Sequence, residues 1–136
     1  MSFDIFVQRF RDKEPATFKR SDFEDIFGAY VIRRESDPGF VEVKFPDGSV
    51  ADVYVSEQEN VDSIMFNHCG GEAFFQALYQ LADRIKGCIY WPDLGPSSVV
   101  TDATTPVHLS PDFAEALGPP IVVTNGVGIL EAIQRS

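Results

Sequence analysis

Two short segments, Phe40–Phe45 and Val50–Val55, flank Pro46-Asp47-Gly48-Ser49, and this arrangement constrains the chain more than any other feature. Proline presets φ for a tight turn and glycine accepts the conformations that close it, so a β-hairpin is expected here. Side chains alternate along a strand, which puts Val41, Val43 and Phe45 on one face and Glu42 and Lys44 on the other. The sheet that contains this hairpin must therefore have one covered face and one that is at least partly wet.

The remaining periodicities fill in an α+β pattern around it. Phe3–Phe10 alternates and is rich in Phe, Ile and Val, as a first strand would be. Ser21-Asp22-Phe23-Glu24 has the spacing of a capping box, with Phe23, Ile26 and Phe27 on one helical face and Gly28 as the stop. Tyr30–Arg34 is expected as a second strand, ended by Ser36-Asp37-Pro38-Gly39, and Ser63–Asn67 as a further one, ended by Gly70-Gly71. Between Glu72 and Lys86, Phe74, Leu78, Leu81 and Ile85 recur with helical spacing, and Gly87 closes the longest helix. Cys88–Trp91 returns as a strand, followed by a loop rich in Pro, Ser and Thr with a short strand at Ser98–Thr101. Ser110-Pro111-Asp112 supplies a cap, a first-turn proline and an acid for a third helix. Ile121–Val123 and Gly128–Gln134 complete the set as a strand and a short helix. The expected fold is α+β: a mixed or mostly antiparallel sheet with a central hairpin, packed by one long and two or three short helices.

At 136 residues the chain is expected to form a single domain over 1–136, and its 12 Phe, 4 Tyr and 1 Trp are ample for a core. Two cysteines are too few for a disulfide scaffold. No apolar run reaches the ~20 residues that cross a bilayer, and Met1-Ser2-Phe3-Asp4 lacks the features of a signal peptide, so a cytoplasmic location is expected. Eleven bases stand against 21 acids, a net charge of −10. Eight of those acids and one base, Lys44, fall between Glu35 and Asp62, whereas Arg9–Arg20 carries five bases and two acids. Such a charge disfavours nucleic acid and anionic membranes and favours a basic protein partner.

Candidate chemistry is sparse. His68-Cys69-Gly70-Gly71 lies between a strand and the amino end of the long helix, where a thiolate would be favoured. Neighbouring side chains diverge, so His68 is a poor base for Cys69, and His108 would serve only if the fold brought it close. A metal set of His68, Cys69, Cys88 and His108 has suitable ligand types but no short-loop spacing, and no cofactor is implied. Asn125-Gly126-Val127-Gly128 lacks the Lys-Ser/Thr and third glycine of phosphate loops and suits a turn leading into a helix. Trp91, beside Tyr90 at a loop, is expected in the core.

The opening Phe3–Gln8, the Phe18–Gly28 helix and Asp52–Val55 together resemble small uncharacterised bacterial proteins. Their size and acidity are similar to those of immunity proteins that neutralise polymorphic toxins. This resemblance implies a protein that folds and binds. The leading expectation is a non-catalytic domain that meets a basic partner, such as a toxin domain, through Glu42, Asp47, Asp52, Glu57 and Glu59, with Tyr54 as an aromatic anchor. Two alternatives stand beside it: a small cysteine enzyme using Cys69 with His68 or His108, and a small-ligand sensor with a pocket between sheet and helices.

Overall fold

The hairpin forms where the turn chemistry demands it, and it sits inside a much wider sheet. The computed structural model describes residues 4–35, 39–92 and 98–135. In chain order the elements are β1 (Ile5–Arg11), β2 (Glu14–Ala16), β3 (Phe18–Lys19), α1 (Arg20–Phe27), β4 (Val31–Glu35), β5 (Phe40–Lys44), β6 (Val50–Tyr54), β7 (Asn60–Val61) and β8 (Ser63–Gly70), then α2 (Glu72–Ile85), β9 (Cys88–Tyr90), β10 (Ser98–Val100), α3 (Pro111–Leu117), β11 (Ile121–Val122) and α4 (Gly126–Arg135). The fold is α+β as expected. The expected strand start at Phe3, the turn at 36–38 and the loop at 93–97 lie outside the described residues.

The main sheet runs β11-β10-β9-β1-β8-β6-β5-β4, with β2 folded back on the end of β1; β3 and β7 form a separate pair. Every described pairing is antiparallel except β10 with β11. Ile5, Val7, Val41, Val43, Ala51, Val53, Ile64, Phe66, Ile89 and Val99 project from one face and pack with α1, α2 and α4 into the main core. That inner layer is aromatic: Phe27 packs on Phe23, Phe45 and Phe66, and Phe66 on Phe74. Burial of each such ring stabilises by about 2 kcal/mol. Phe74, Leu78, Leu81 and Ile85 are all buried, so the helical spacing of α2 identified its inner face correctly, and Trp91 is buried with them.

Among the described residues, the opposite, outer face is covered at one end only. Phe10, Cys88 and Val100 project there and are covered by Leu109 and Phe113, the latter from α3. Ser110 caps α3 as expected, its hydroxyl accepting the Phe113 amide at 3.2 Å.

Local readings fail in several places, each for a physical reason. The connection after β1 is a tight hairpin whose two central residues, Asp12 and Lys13, have φ of 52° and 72°. Non-glycine residues tolerate this primed turn because His108 closes it: the Asp12 amide donates to His108 Nδ1 and the Lys13 amide to the His108 carbonyl. Ser21 is not the cap of α1. Lys19 occupies that position with no side-chain cap, because Glu24 turns away to Arg20 and Arg34. The left-handed stop of α2 is Lys86 (φ 52°), not Gly87, whose added Cβ would lie 2.9 Å from Ile85 and 3.1 Å from the Gln8 carbonyl. Helix α4 begins at Gly126, two residues before the expected Gly128. The Gln76 side chain accepts the Gly126 amide there, and Asn125 accepts that of Gly128.

Candidate functional site

Pairing registers line up the outer-face residues of successive strands into rows, and two of these rows give the face its chemistry. In the first, Glu35 lies opposite Phe40, Phe40 opposite Tyr54, Tyr54 opposite Met65, Met65 opposite Phe6, and Phe6 opposite Tyr90. An aromatic and methionine stripe thus crosses five strands from β5 to β9. Its rings touch at both ends: Phe40 on Tyr54 at 5.3 Å, and Phe6 stacked on Tyr90 at 5.1 Å. The Tyr90 end is closed by Phe113 of α3, whereas Tyr54 remains 37% exposed. No described helix is packed over the Phe40–Tyr54 end.

The second row lies beside the first and is polar. Arg33 lies opposite Glu42, Glu42 opposite Asp52, and Asp52 opposite Asn67, whose amide donates to Asp4. Two register breaks shape it. The first, between Val31 and Arg33, puts Arg33 on the outer face, where it pairs with Glu42 and Glu35 and covers the Phe40 ring at 5.0 Å. The second, between Val50 and Asp52, extends β8 three residues past its expected end and holds His68 at φ 46°. That bulge swings the exposed imidazole over β6, so that His68 Nδ1 lies 2.9 Å from Asp52 Oδ2. Arg33, Glu35, Phe40, Asp52 and Tyr54 line a cavity of about 290 Å³ where the two rows meet.

The expected partner-binding residues separate into two groups. Glu42, Asp52 and Tyr54 share the outer face. Asp47 does not join them: its carboxylate accepts the Ser49 amide at 2.8 Å and the Ala73 amide at 3.1 Å, tying the hairpin turn to the first turn of α2. Ser49 foremost, then the Ala73 amide, holds Asp47 below the usual carboxylate range. Glu59 lies in the loop before β7, where it pairs with Lys19 at 3.3 Å, and Glu57 is exposed in that same loop. Sequence reasoning missed Phe6, Met65 and Tyr90, whose placement depends on strand order, and Arg33, which the break after Val31 puts on the outer face.

The surroundings of the thiol candidate work against a thiolate. A helix amino end favours thiolate, but burial pushes Cys69 up to about 12, with Asp4 and Asp52 adding to the shift. Its histidine neighbours are engaged elsewhere, His68 with Asp52 and His108 with the Asp12–Lys13 turn. Buried Cys88 is also pushed to about 12, by burial. Among the described residues no group of three His, Cys, Asp or Glu is arranged to hold a metal. Cys69 borders an apolar cleft of about 410 Å³ between α2 and α4, lined also by Phe75, Val127, Leu130 and Ile133. No described helix is long and apolar enough to cross a membrane. The chain matches no family model, and neither a curated protein nor a solved structure matches it.

Proposed function

We propose that this is a non-catalytic protein-binding domain that docks a basic partner on the outer face of its sheet. Immunity proteins that block basic toxin domains would belong to this class. The observation that carries the reading is the aromatic and methionine stripe running beside Glu42 and Asp52 on a half-covered sheet. Aromatics and methionine are enriched where proteins meet, and the charged row steers approach and fixes register. Tyr54 is the anchor, with its ring on Phe40 and 37% of its surface open. Lysine or arginine side chains of the partner would reach Glu42 and Asp52, displacing or joining Arg33 and His68.

Affinity capture with three immobilised forms tests this reading. A partner retained by the wild type and by the Glu57→Lys/Glu59→Lys pair, but lost by Glu42→Lys/Asp52→Lys, is the expected result. Equal retention by both charge-reversed forms sinks the assignment, since it would mark the attraction as bulk charge.

The apolar cleft between α2 and α4 favours a second reading, a small-ligand sensor, because its volume and lining suit a small apolar molecule. Thermal stabilisation by a panel of such molecules, abolished by Leu130→Arg, would favour it. The cysteine-enzyme alternative has weaker support, because burial disfavours the Cys69 thiolate and both histidines are engaged elsewhere.

A further inference from the structure

The bases of the segment Arg9–Arg20 belong to neither outer-face row. Its Arg9 and Lys19 instead meet Arg84 and Lys86 around one cavity of about 450 Å³, also lined by Thr17, Phe18, Asp22, Asn60 and Ile85. Four of the 11 bases in a chain of net charge −10 thus line one cavity, with Asp22 as the only acid among its described lining residues. They come from β1, β3 and the last turn of α2 with its cap.

Helix-end electrostatics would account for Arg84 and Lys86, since cations stabilise a helix carboxyl end. It does not account for Arg9 and Lys19, which other elements bring in. The carboxylates that orient these cations mostly lie outside the lining: Glu59 on Lys19, Asp25 on Arg84, and Asp83 and Asp102 on Lys86. Asp22 holds Arg84 from within, at 3.0 Å. Arg9 has no carboxylate partner among the described residues; its Nη1 donates to the Thr17 carbonyl at 3.1 Å. Exposed ion pairs contribute only about 0–1 kcal/mol, so these heads can re-aim toward a stronger ligand at small cost.

We infer that this cavity is a binding site for a small phosphorylated molecule. Two guanidinium forks and two ammonium groups match the oxygens of a phosphate, and arginine can meet two of them at once. The buried Phe18 and Ile85 offer an apolar floor for a short carbon skeleton, while Asn60, Thr17 and Asp22 can bond its hydroxyls. The volume falls within the range of small-molecule sites. This inference does not depend on the protein-binding reading, because none of the cavity's lining residues belongs to the outer-face rows.

Amide chemical shifts of the whole chain, titrated with ribose 5-phosphate, test the site, with ribose and sodium chloride at matched ionic strength as controls. Saturable shifts centred on Thr17, Lys19, Asn60 and Lys86 are expected with the phosphate ester alone. Arg9→Gln should weaken this response about tenfold, the size of one charge-assisted hydrogen bond. Lys19→Gln, at an exposed side chain, should weaken it too and gives a variant whose folding is not at risk. Shifts no larger than those from salt, or unchanged in both variants, would overturn the site. Sedimentation with vesicles bearing phosphatidylinositol phosphate, without any ribose 5-phosphate response, would overturn the assignment to a small soluble ligand.

Discussion

Arg34 grips Glu24 with both arms of its guanidinium, Nη2 2.7 Å from Oε1 and Nη1 2.9 Å from Oε2. This pair fastens α1 to edge strand β4, and it exists because the break between Val31 and Arg33 returns Arg34 to the inner face. Arg34 foremost, with Arg20 helping, holds Glu24 below its ordinary range against the opposing effect of burial. A depressed folded value means that the carboxylate stabilises the fold above the unfolded value of about 4.3 and that this contribution is lost as pH falls through the folded value. Glu24→Gln should therefore cost about 1 kcal/mol at pH 7, since the pair is partly in solvent. Urea titrations at pH 7 and at pH 3 check this: the gap between wild type and variant should shrink in acid.

At Gly126 the backbone of α4 packs directly on the backbone of α2. A Cβ there would lie 2.5 Å from the Gln76 nitrogen and 2.6 Å from the Phe75 carbonyl carbon, both backbone atoms that cannot swing away. Gly126→Ala should destabilise by about 2 kcal/mol, the usual cost of overpacking. An alanine at Gly118 meets nothing within 4 Å but takes a φ of 75°, so its cost is of a different kind: backbone strain and not a clash. Thermal unfolding of Gly126→Ala, with the Gln76→Ala background as a second arm, separates lost space from the lost cap on the Gly126 amide.

Much of this architecture was legible because each element signals itself locally. The spacing of Phe74, Leu78, Leu81 and Ile85 identified the buried stripe of α2, and Pro46-Asp47-Gly48 marked the turn of the β5–β6 hairpin. The opposition of Glu42 and Asp52 follows from the hairpin and is found in the register. What could not be read depends on contacts between distant segments. The primed turn at Asp12 and Lys13 relies on His108, nearly a hundred positions away, and the capping box at Ser21 lost Glu24 to an arginine on another strand. The outer-face stripe is legible only piecewise: Phe6, Met65 and Tyr90 each alternate correctly in their strands. Nothing local says that β1 lies between β8 and β9.

Both thiols should be inert in the native protein. Cys69 and Cys88 are each pushed up to about 12, so at pH 8 almost none of either is thiolate, and thiolate is the reactive form. Alkylation by iodoacetamide at pH 8 should be slow in buffer and fast in ~6 M guanidinium chloride, where unperturbed thiols titrate near 8.5. Cys69 should label before Cys88, because it is half-buried and Cys88 is buried. Fast native labelling of Cys69 would favour the enzyme reading.

Tyr54 and Phe40 touch each other across β6 and β5, yet they should respond differently to truncation. Phe40 is only 7% exposed, lying beneath the Arg33 guanidinium and against the Tyr54 ring, so Phe40→Ala should cost about 3 kcal/mol of stability. Tyr54 keeps 37% of its surface in solvent, and Tyr54→Ala should cost less than about 1 kcal/mol. Partner affinity should show the reverse emphasis. An anchoring aromatic contributes about 2 kcal/mol or more to binding, so Tyr54→Ala should weaken the captured partner at least tenfold while the fold stays intact. Charge reversal at Asp52 should act on a different quantity, slowing association and flattening its dependence on salt, because steering depends on the field and not on the contact. Urea denaturation and binding kinetics measured on the same preparations separate these effects. If Tyr54→Ala leaves both association and dissociation unchanged, the partner does not sit on the stripe.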